Sequence, residues 1–278
     1  MRCGSSNTDI KCIDAQEFPP LPVPDMEGAI ALNVADFKEM ISQVIFAASM
    51  DEARPVLMGV LVSVDKDSIT MAAADGFRLS VRKGVLSQAA VEPVSLIIPA
   101  RALGELARVA SDANETISMI LPKGRGQVVF RMKEIELVSQ LIDGTFPDYQ
   151  QIIPRSYKSR TILSTPALLK ACKQAEIFAR EGSNVARIDI KSAGDLEPGS
   201  VQISAQSEET GSNETVVAAT IDGIGLLIAF NVKYMREVLE VVKSPNVALE
   251  TTAANAPGCI RPVGDDNFLH VIMPMHLG

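Results

Sequence analysis

A single offset of 132 residues relates two separate pairs of predicted amphipathic helices in this chain. The paired stretches are 35–49 with 166–180 and 99–110 with 231–242. The offset places Phe37 on Leu169 and Phe46 on Phe178. Regular amphipathic helices resemble one another readily, but one offset that serves two separate pairs favours an internal duplication.

The segments around the predicted helices alternate apolar and polar residues, which indicates β-strands. GVLVSV, SITMAAA and RLSVRK follow the first helix, and TISMIL, QVVFRM and IELVSQL follow the second. Each unit is therefore predicted to run strand, helix, three strands, helix, three strands. This order predicts an α+β fold of tandem repeated domains, each with two helices on one face of antiparallel sheet.

Two similar segments of the chain contain a Phe-Pro pair. LIDGTFPDYQQIIP at 141–154 closes one unit, and IDAQEFPPLPVP at 13–24 repeats its Ile-Asp and Phe-Pro pairs. Phe-Pro turns are common, so coincidence is one alternative, but the further matches favour the end of another repeat. We therefore expect residues 1–24 to be the end of a further repeat.

The composition argues against several classes of protein. The chain has no Trp and only three Tyr, which does not suit a stacking platform for single-stranded nucleic acid. Its four cysteines are scattered without C-x-x-C spacing, and neither a leader nor a long apolar span is evident. We expect a soluble, cytoplasmic protein with reduced thiols.

Motifs of catalysis and cofactor binding are missing as well. The only histidines are His270 and His276, and no zinc-protease, dinucleotide or phosphate-loop motif is present. Asp75 beside Gly76 could serve as a catalytic carboxylate, but an Asp-Gly pair is more typical of a turn. The sequence therefore predicts a protein that is not an enzyme and that needs no cofactor or metal.

The net charge of −8 is unevenly distributed. Taken as 35–49, 99–110, 166–180 and 231–243, the four predicted helices carry nine cations and six carboxylates, a net charge of +3, which leaves −11 on the remainder. One alternative is a mixed, solvated helix surface. The asymmetry favours a positive face that attracts a polyanion beneath an acidic exterior.

Four motifs together resemble the bacterial DNA sliding clamp, the beta subunit of DNA polymerase III. They are ADGFRLSV at 74–81, the LIDGTFPDYQQIIP connector, FNVKYMREVL at 230–239 and VIMPMHLG at 271–278. The resemblance covers essentially the whole chain and implies the DNA clamp fold. It also implies a non-catalytic processivity factor, whose subunits form a head-to-tail dimeric ring around duplex DNA without sequence preference. Residues 1–26 would then be the C-terminal remnant of the first clamp domain, followed by the central domain at 27–153 and the C-terminal domain at 154–278.

The resemblance also implies three sets of site residues. A cleft for short peptides of the DNA polymerase III alpha subunit, the clamp loader, other polymerases and repair proteins would use Leu57, Gly76, Phe77, Arg78, Leu79, Pro147, Gln151, Ile152, Asn231, Tyr234, Ile272, Met273, Pro274, Met275 and Leu277. The DNA-facing cations would be Lys38, Arg54, Arg101, Arg108, Lys170, Lys173, Arg187, Lys233 and Arg236. The ring interface would include Ile177, Phe178, Glu208, Glu209 and Glu214.

Two further expectations concern the C-terminal residues and the assembly. Pro274 should end strand pairing and free the residues that follow it, so that Leu79 and the methionines line an apolar groove. A chain without the first domain should be a monomer or weak dimer. The alternative function is a protein-binding scaffold that does not retain duplex DNA.

Overall fold

The computed structural model describes residues 1–17, 26, 28–111, 115–122, 124, 126–133, 135–194 and 197–276. A short hairpin of β1 (Arg2–Cys3) and β2 (Ser6–Asn7) precedes the two units. The first unit contains β3 (Ile30–Asn33), α1 (Val34–Val44), β4 (Gly59–Asp65), β5 (Ser68–Ala74), β6 (Arg78–Val85), β7 (Val94–Pro99), α2 (Ala100–Val109), β8 (Thr116–Ile120), β9 (Gln127–Met132) and β10 (Ile135–Gln140). The second unit contains β11 (Ser159–Ser164), α3 (Thr165–Ala179), β12 (Val185–Lys191), β13 (Ser200–Ser207), β14 (Gly211–Gly223), β15 (Leu226–Asn231), α4 (Val232–Val241), β16 (Asn246–Thr251), β17 (Gly258–Pro262) and β18 (Phe268–Ile272).

Among the described residues, each unit runs strand, helix, four strands, helix, three strands. The predicted order had three strands between the helices and was wrong in that number. The additional strand is β7 in the first unit, which passes from Pro99 directly into α2 at Ala100. Because no turn residue separates this strand from its helix, the apolar pattern gives no boundary there. The upstream motif at 13–24 lies largely outside the described residues.

Burial corrects the alignment of the first helix pair. Leu103 and Met235 are both fully buried, as the offset of 132 requires. Phe37, however, matches the buried Leu168, at an offset of 131, and Leu169 is only half-buried. The two helices also differ in length: α1 has 11 residues and α3 has 15, and each passes into a 3₁₀ turn, at Ile45–Ala47 and at Arg180–Gly182.

Antiparallel strand pairing joins the two units into one large sheet. Its twelve strands lie in the order β15-β12-β13-β14-β11-β16-β17-β18-β6-β5-β4-β7. The units meet where β18 pairs with β6 over five residue pairs, from Phe268 opposite Arg82 to Ile272 opposite Arg78. We call this ladder and the side chains that cross it the joint. A second sheet of four strands, β10-β9-β8-β3, completes the first unit.

Each unit buries its helices against its own strands. The first core contains Phe37 and Phe130, whose ring centroids are 6.1 Å apart, and the second contains Leu168 and Met235. The helices also pack as one row, in the order α2, α1, α4, α3. No described helix is long and apolar enough to cross a membrane.

The connector at 141–154 covers the outer face of the large sheet. Phe146 packs in a third apolar cluster with Leu79, Ile97 and Val271. The Ile142 N–H donates to the Ile97 carbonyl at 2.9 Å, which fixes the start of the connector on β7. The Phe-Pro motif therefore covers this face of the sheet, because its apolar residues complete a hydrophobic cluster that spans both units.

Candidate functional site

The joint is built from polar side chains on the helix side of the β6–β18 ladder. Ser80 Oγ lies 2.6 Å from His270 Nδ1, and both residues are fully buried. An Arg82–Asp265 ion pair crosses at one end of the ladder, and Lys243 reaches Glu39 at 2.7 Å between the helices. These contacts tie the units together at several separate points.

Arg78 is the most extensively bonded residue of the joint. Its Nε donates to Asp75 at 3.0 Å, its Nη1 to Glu237, and its Nη2 to the Phe46 carbonyl at 2.5 Å. The guanidinium carbon also lies 4.1 Å from the centroid of the Tyr234 ring. The Arg78 side chain is only 8% exposed, so these groups take the place of nearly all the water that would otherwise solvate the guanidinium.

The Asp75-Gly76 pair forms a turn, as the sequence indicated. Asp75 Oδ1 accepts from the N–H groups of Phe77 and Arg78, at 2.8 and 3.0 Å. Gly76 has a φ of +95°, a conformation that side chains other than hydrogen rarely tolerate. The carboxylate is therefore engaged in holding the turn and Arg78, and not poised for catalysis.

Three apolar side chains are exposed on this turn, on the C-terminal segment and on the connector. Phe77 is 56% exposed, Met273 37% and Ile152 39%. The Met273 N–H donates to the Phe77 carbonyl at 2.9 Å, which brings these two residues side by side across the joint. Ile152 lies on the connector that covers the same strands. We call Phe77, Met273 and Ile152 the rim.

The C-terminal residues are held more firmly than the sequence suggested. The Met275 N–H donates to the Ala229 carbonyl of β15 at 2.8 Å. Pro274 therefore does not free the chain after it, and that expectation was wrong. The bond matches the one from Ile142 to Ile97 in the first unit, because the same internal duplication places a chain segment against the corresponding strand.

The remaining residues of the predicted cleft fall into different environments. Leu79 and Ile272 are buried beneath other side chains and do not line an open groove in this structure. Asn231 caps α4 by accepting from the N–H groups of Lys233 and Tyr234. Pro147 and Gln151 are exposed. Leu57 packs against the third apolar cluster, beneath the connector, and Leu277 lies outside the described residues.

The predicted DNA-facing cations divide into two groups. Carboxylates or carbonyls engage five of them: Lys38, Arg54, Arg108, Lys173 and Arg236. Within the described parts of the chain, the side chains of the other four form no hydrogen bond or ion pair: Arg101, Lys170, Arg187 and Lys233. Arg236 is the most constrained, since it contacts Glu176 at 2.6 Å and Glu240 at 2.7 Å.

The predicted ring-interface residues lie on α3 and on the β13–β14 hairpin. Ile177 is 60% exposed, whereas Phe178 is half-buried against the core of the second unit. The three carboxylates at 208, 209 and 214 are exposed. Between residues 211 and 218, β14 pairs only with β13 among the described strands, so one edge of this stretch is open.

Comparison with known proteins decides the family. The family model of the DNA polymerase III beta subunit central domain matches residues 31–148, and that of its C-terminal domain matches residues 150–276. The beta sliding clamp of Bacillus subtilis is 32% identical over 277 residues, which cover 99% of this chain and 71% of that protein. The chain belongs to the bacterial DNA sliding clamp family.

Solved structures agree with this assignment. The crystal structure of the Bacillus subtilis clamp superposes with a TM-score of 0.88 over 96% of this chain and 69% of that chain. The Thermotoga maritima DNA polymerase III beta subunit gives a TM-score of 0.85 at 26% identity, over 99% of this chain and 72% of that chain. A Pseudomonas aeruginosa clamp bound to griselimycin shares the fold at 24% identity, with a TM-score of 0.85 over 95% of this chain and 70% of that chain. The predicted α+β clamp fold is confirmed.

Sequence reasoning missed the partners of Arg78 at the joint. Glu237 and Phe46 were assigned only to helices, although both contact this guanidinium. Arg78 and Glu237 are 159 positions apart in sequence, so no local pattern reveals the pair. The available signal was a charged residue inside the apolar strand pattern ADGFRLSV, because an unpaired cation is rarely buried.

Proposed function

We propose that this sliding clamp subunit tethers DNA polymerase III and other replication and repair proteins to duplex DNA by binding alone, without catalysis. Its central domain would be 27–153 and its C-terminal domain 154–278, with 1–26 as the end of the domain before them. A cytoplasmic location belongs to the same proposal. Ile177, Phe178 and the acidic segment with Glu208, Glu209 and Glu214 would be the C-terminal domain's half of the ring joint in the full-length family. The family assignment supports this role, while the partners and the residues are inferred.

The observation that carries the peptide-binding part of the proposal is the rim. Phe77 and Met273 are exposed apolar residues joined by a backbone hydrogen bond, so their position is fixed before any ligand arrives. A preformed apolar surface reduces the ordering that binding requires. Methionine also adapts its flexible side chain to different peptides. The rim therefore suits a short, mainly apolar segment shared by several partners.

The row of four helices supports the proposed contact with duplex DNA. Lys170 and Lys233 project from α3 and α4 as exposed cations without a carboxylate partner among the described residues. Mobile cations of this kind bind phosphates without reading base sequence, which a sliding protein requires.

The second candidate is a protein-binding scaffold that does not retain DNA. It is favoured by the intramolecular partners of Lys38, Arg54, Arg108, Lys173 and Arg236. A cation already paired to a carboxylate gains less from a phosphate, because the pair must first separate. Retention on circular compared with linear duplex DNA distinguishes the two candidates, since only an encircling protein slides off free ends.

Met273→Asp tests the peptide site directly. We expect the affinity for a fluorescein-labelled peptide carrying the clamp-binding segment of a DNA polymerase III alpha subunit to fall by about 1–3 kcal/mol, because an apolar anchor is lost and a charge must be desolvated. Fluorescence anisotropy measures the affinity. Val91→Asp is the matched control, since Val91 is 85% exposed on the loop before β7. Equal peptide affinity for both variants would overturn the site.

A further inference from the structure

Arg78 bonds to groups of both units. We propose that Arg78 is a positioning residue that fixes the angle between the two units and thereby holds the rim in place. This inference rests on the proposed peptide cleft for its functional consequence. The positioning itself depends only on the contacts of the joint, and can be measured without a peptide.

The ladder alone does not determine how the two units are tilted. The joint contains one pair of strands, β6 and β18, and two sheet segments joined by a single ladder can twist about it. Rigidity then requires contacts away from the ladder. The Lys243–Glu39 pair is one of them. Arg78 adds a buried one, because its Nη1 reaches Glu237 on α4 of the second unit while its Nη2 holds Phe46, in the turn after α1 of the first.

The donors of the Arg78 guanidinium are directed inside the protein. Nε, Nη1 and Nη2 each donate to a different acceptor: Asp75, Glu237 and the Phe46 carbonyl. One cation lies between two carboxylates that are themselves only 12% and 20% exposed. Breaking such a pair to meet a ligand would strand buried charges, which is strongly unfavourable. The peptide therefore meets other groups.

A chain of bonds leads from this guanidinium to the rim. Asp75, which holds Arg78 Nε through one oxygen, accepts the Phe77 N–H through the other at 2.8 Å. The Phe77 carbonyl in turn accepts the Met273 N–H at 2.9 Å. Glu237, Arg78, Asp75, Phe77 and Met273 therefore form one connected series across the joint. Loss of Glu237 should loosen the rim although Glu237 is not part of it.

The second crossing ion pair provides a matched control. Arg82 also lies on β6 and also binds a carboxylate of the second unit, Asp265. Asp265, however, lies in the turn that leads directly into β18, so this pair only fastens one end of the ladder. Its loss should leave the tilt of the units unchanged.

The experiment measures unit geometry and peptide affinity in the same variants. Spin labels at Asp67→Cys and Asn255→Cys, with Cys3 and Cys12 changed to Ser, report a distance distribution between the units by pulsed electron resonance. We expect Glu237→Gln to broaden the distribution and to weaken binding of the labelled alpha-subunit peptide about tenfold. Arg78→Ala should do the same, and the double variant should do no more than either single one. Arg82→Ala should stay within about twofold of the unsubstituted chain.

Distinct results would overturn the inference. If Arg78→Ala weakened the peptide while Glu237→Gln bound it normally with an unchanged distribution, Arg78 would be a direct peptide contact. An unchanged distribution in both variants would also exclude positioning. If Arg78→Ala does not fold, two other variants still test the inference. Arg78→Lys keeps the positive charge but lacks the planar guanidinium that donates in several directions, and Glu237→Gln leaves Arg78 in place. If the unsubstituted chain did not bind the peptide, the proposed cleft would fail, while the distance measurement would still decide the role of Arg78.

Discussion

At the scale of single residues, the joint keeps a histidine neutral. His270 is fully buried between the Ser80 hydroxyl and the Phe46 ring, whose centroid is 5.4 Å from that of the imidazole. Burial, with a smaller contribution from the Arg78 charge, lowers the pKa of His270 to about 3. A proton on this ring would place a second positive charge beside Arg78 without a carboxylate of its own. The joint therefore depends on an uncharged imidazole.

The stability of the protein should consequently decrease on mild acidification. The pKa of a histidine in the unfolded chain is near 6.5, whereas burial lowers the pKa of the folded His270 to about 3. Between these values the unfolded chain binds one proton more, so each pH unit below 6.5 lowers the free energy of unfolding by about 1.4 kcal/mol. Urea denaturation at pH 7 and pH 5 should show a loss of about 2 kcal/mol from this residue.

Two variants isolate the contribution of His270 to that loss. His270→Gln should remove this part of the pH dependence between pH 6.5 and 5. The exposed His276 is the control, and His276→Gln should leave the dependence intact. An identical pH response in the unsubstituted chain and in His270→Gln would contradict the argument.

Substitutions of Leu79 and Ile152 should affect the stability of the protein very differently. Leu79 is fully buried in the cluster beneath the connector, so Leu79→Ala should lower the free energy of unfolding by about 2–5 kcal/mol through the cavity that it leaves. Ile152→Ala removes an exposed side chain of the rim and should change stability by about 0.5 kcal/mol or less. Denaturant unfolding of both variants checks this. A small effect at Leu79 would show that the cluster is not a packed core.

At the scale of elements, asparagine side chains fix the start of one helix in each unit. Asn33 Oδ1 accepts from the Asp36 N–H before α1, and Asn231 Oδ1 accepts from Lys233 and Tyr234 before α4. Such caps satisfy helix donors that have no partner inside the helix. In α4 the cap also orients Tyr234, whose ring supports Arg78.

Asn231→Ala should therefore destabilise the second unit by about 1 kcal/mol. Asn231→Asp should restore most of the loss, because a carboxylate accepts the same N–H groups and favours the positive end of the helix. Thermal unfolding followed by circular dichroism measures both variants. If Asn231→Asp restored none of the lost stability, the Asn231 side chain would stabilise the protein by some interaction other than the helix cap.

Periodicity predicted the elements well wherever a polar break separated them. The second helix pair and most strands were placed from alternation alone, and the duplication gave the architecture of both units. The strand β7 was lost because it enters α2 without a break, and the one-residue shift in α1 shows only in which side chains the folded structure buries. Contacts such as that of Arg78 with Glu237 could not be predicted from the sequence, because they form only when the two units pack together.

At the scale of the whole molecule, the acidic chain presents a row of helices whose cations differ in availability. Glu105 neutralises Arg108, and Glu240 is shared by Lys173 and Arg236. The hydrogen bond from Lys173, together with the charge of Arg236, lowers the pKa of Glu240, which keeps this carboxylate ionised at neutral pH. Counting cations on the helices therefore overstates the charge available to a polyanion. The unpaired side chains should dominate any contact with phosphates.

Salt dependence of duplex binding measures that difference. Lys170→Ala and Lys233→Ala should each weaken binding and reduce the magnitude of the slope of log affinity against log salt by about 1, because one fewer counterion is released. Arg108→Ala is the matched control: it removes an exposed cation already bonded to Glu105, so its effect on the slope should be smaller. Fluorescence anisotropy with a labelled duplex between 50 and 200 mM salt supplies both quantities. Equal slope changes for all three variants would mean that carboxylate pairing does not govern access to the phosphates, and that the helix row binds DNA through its total charge.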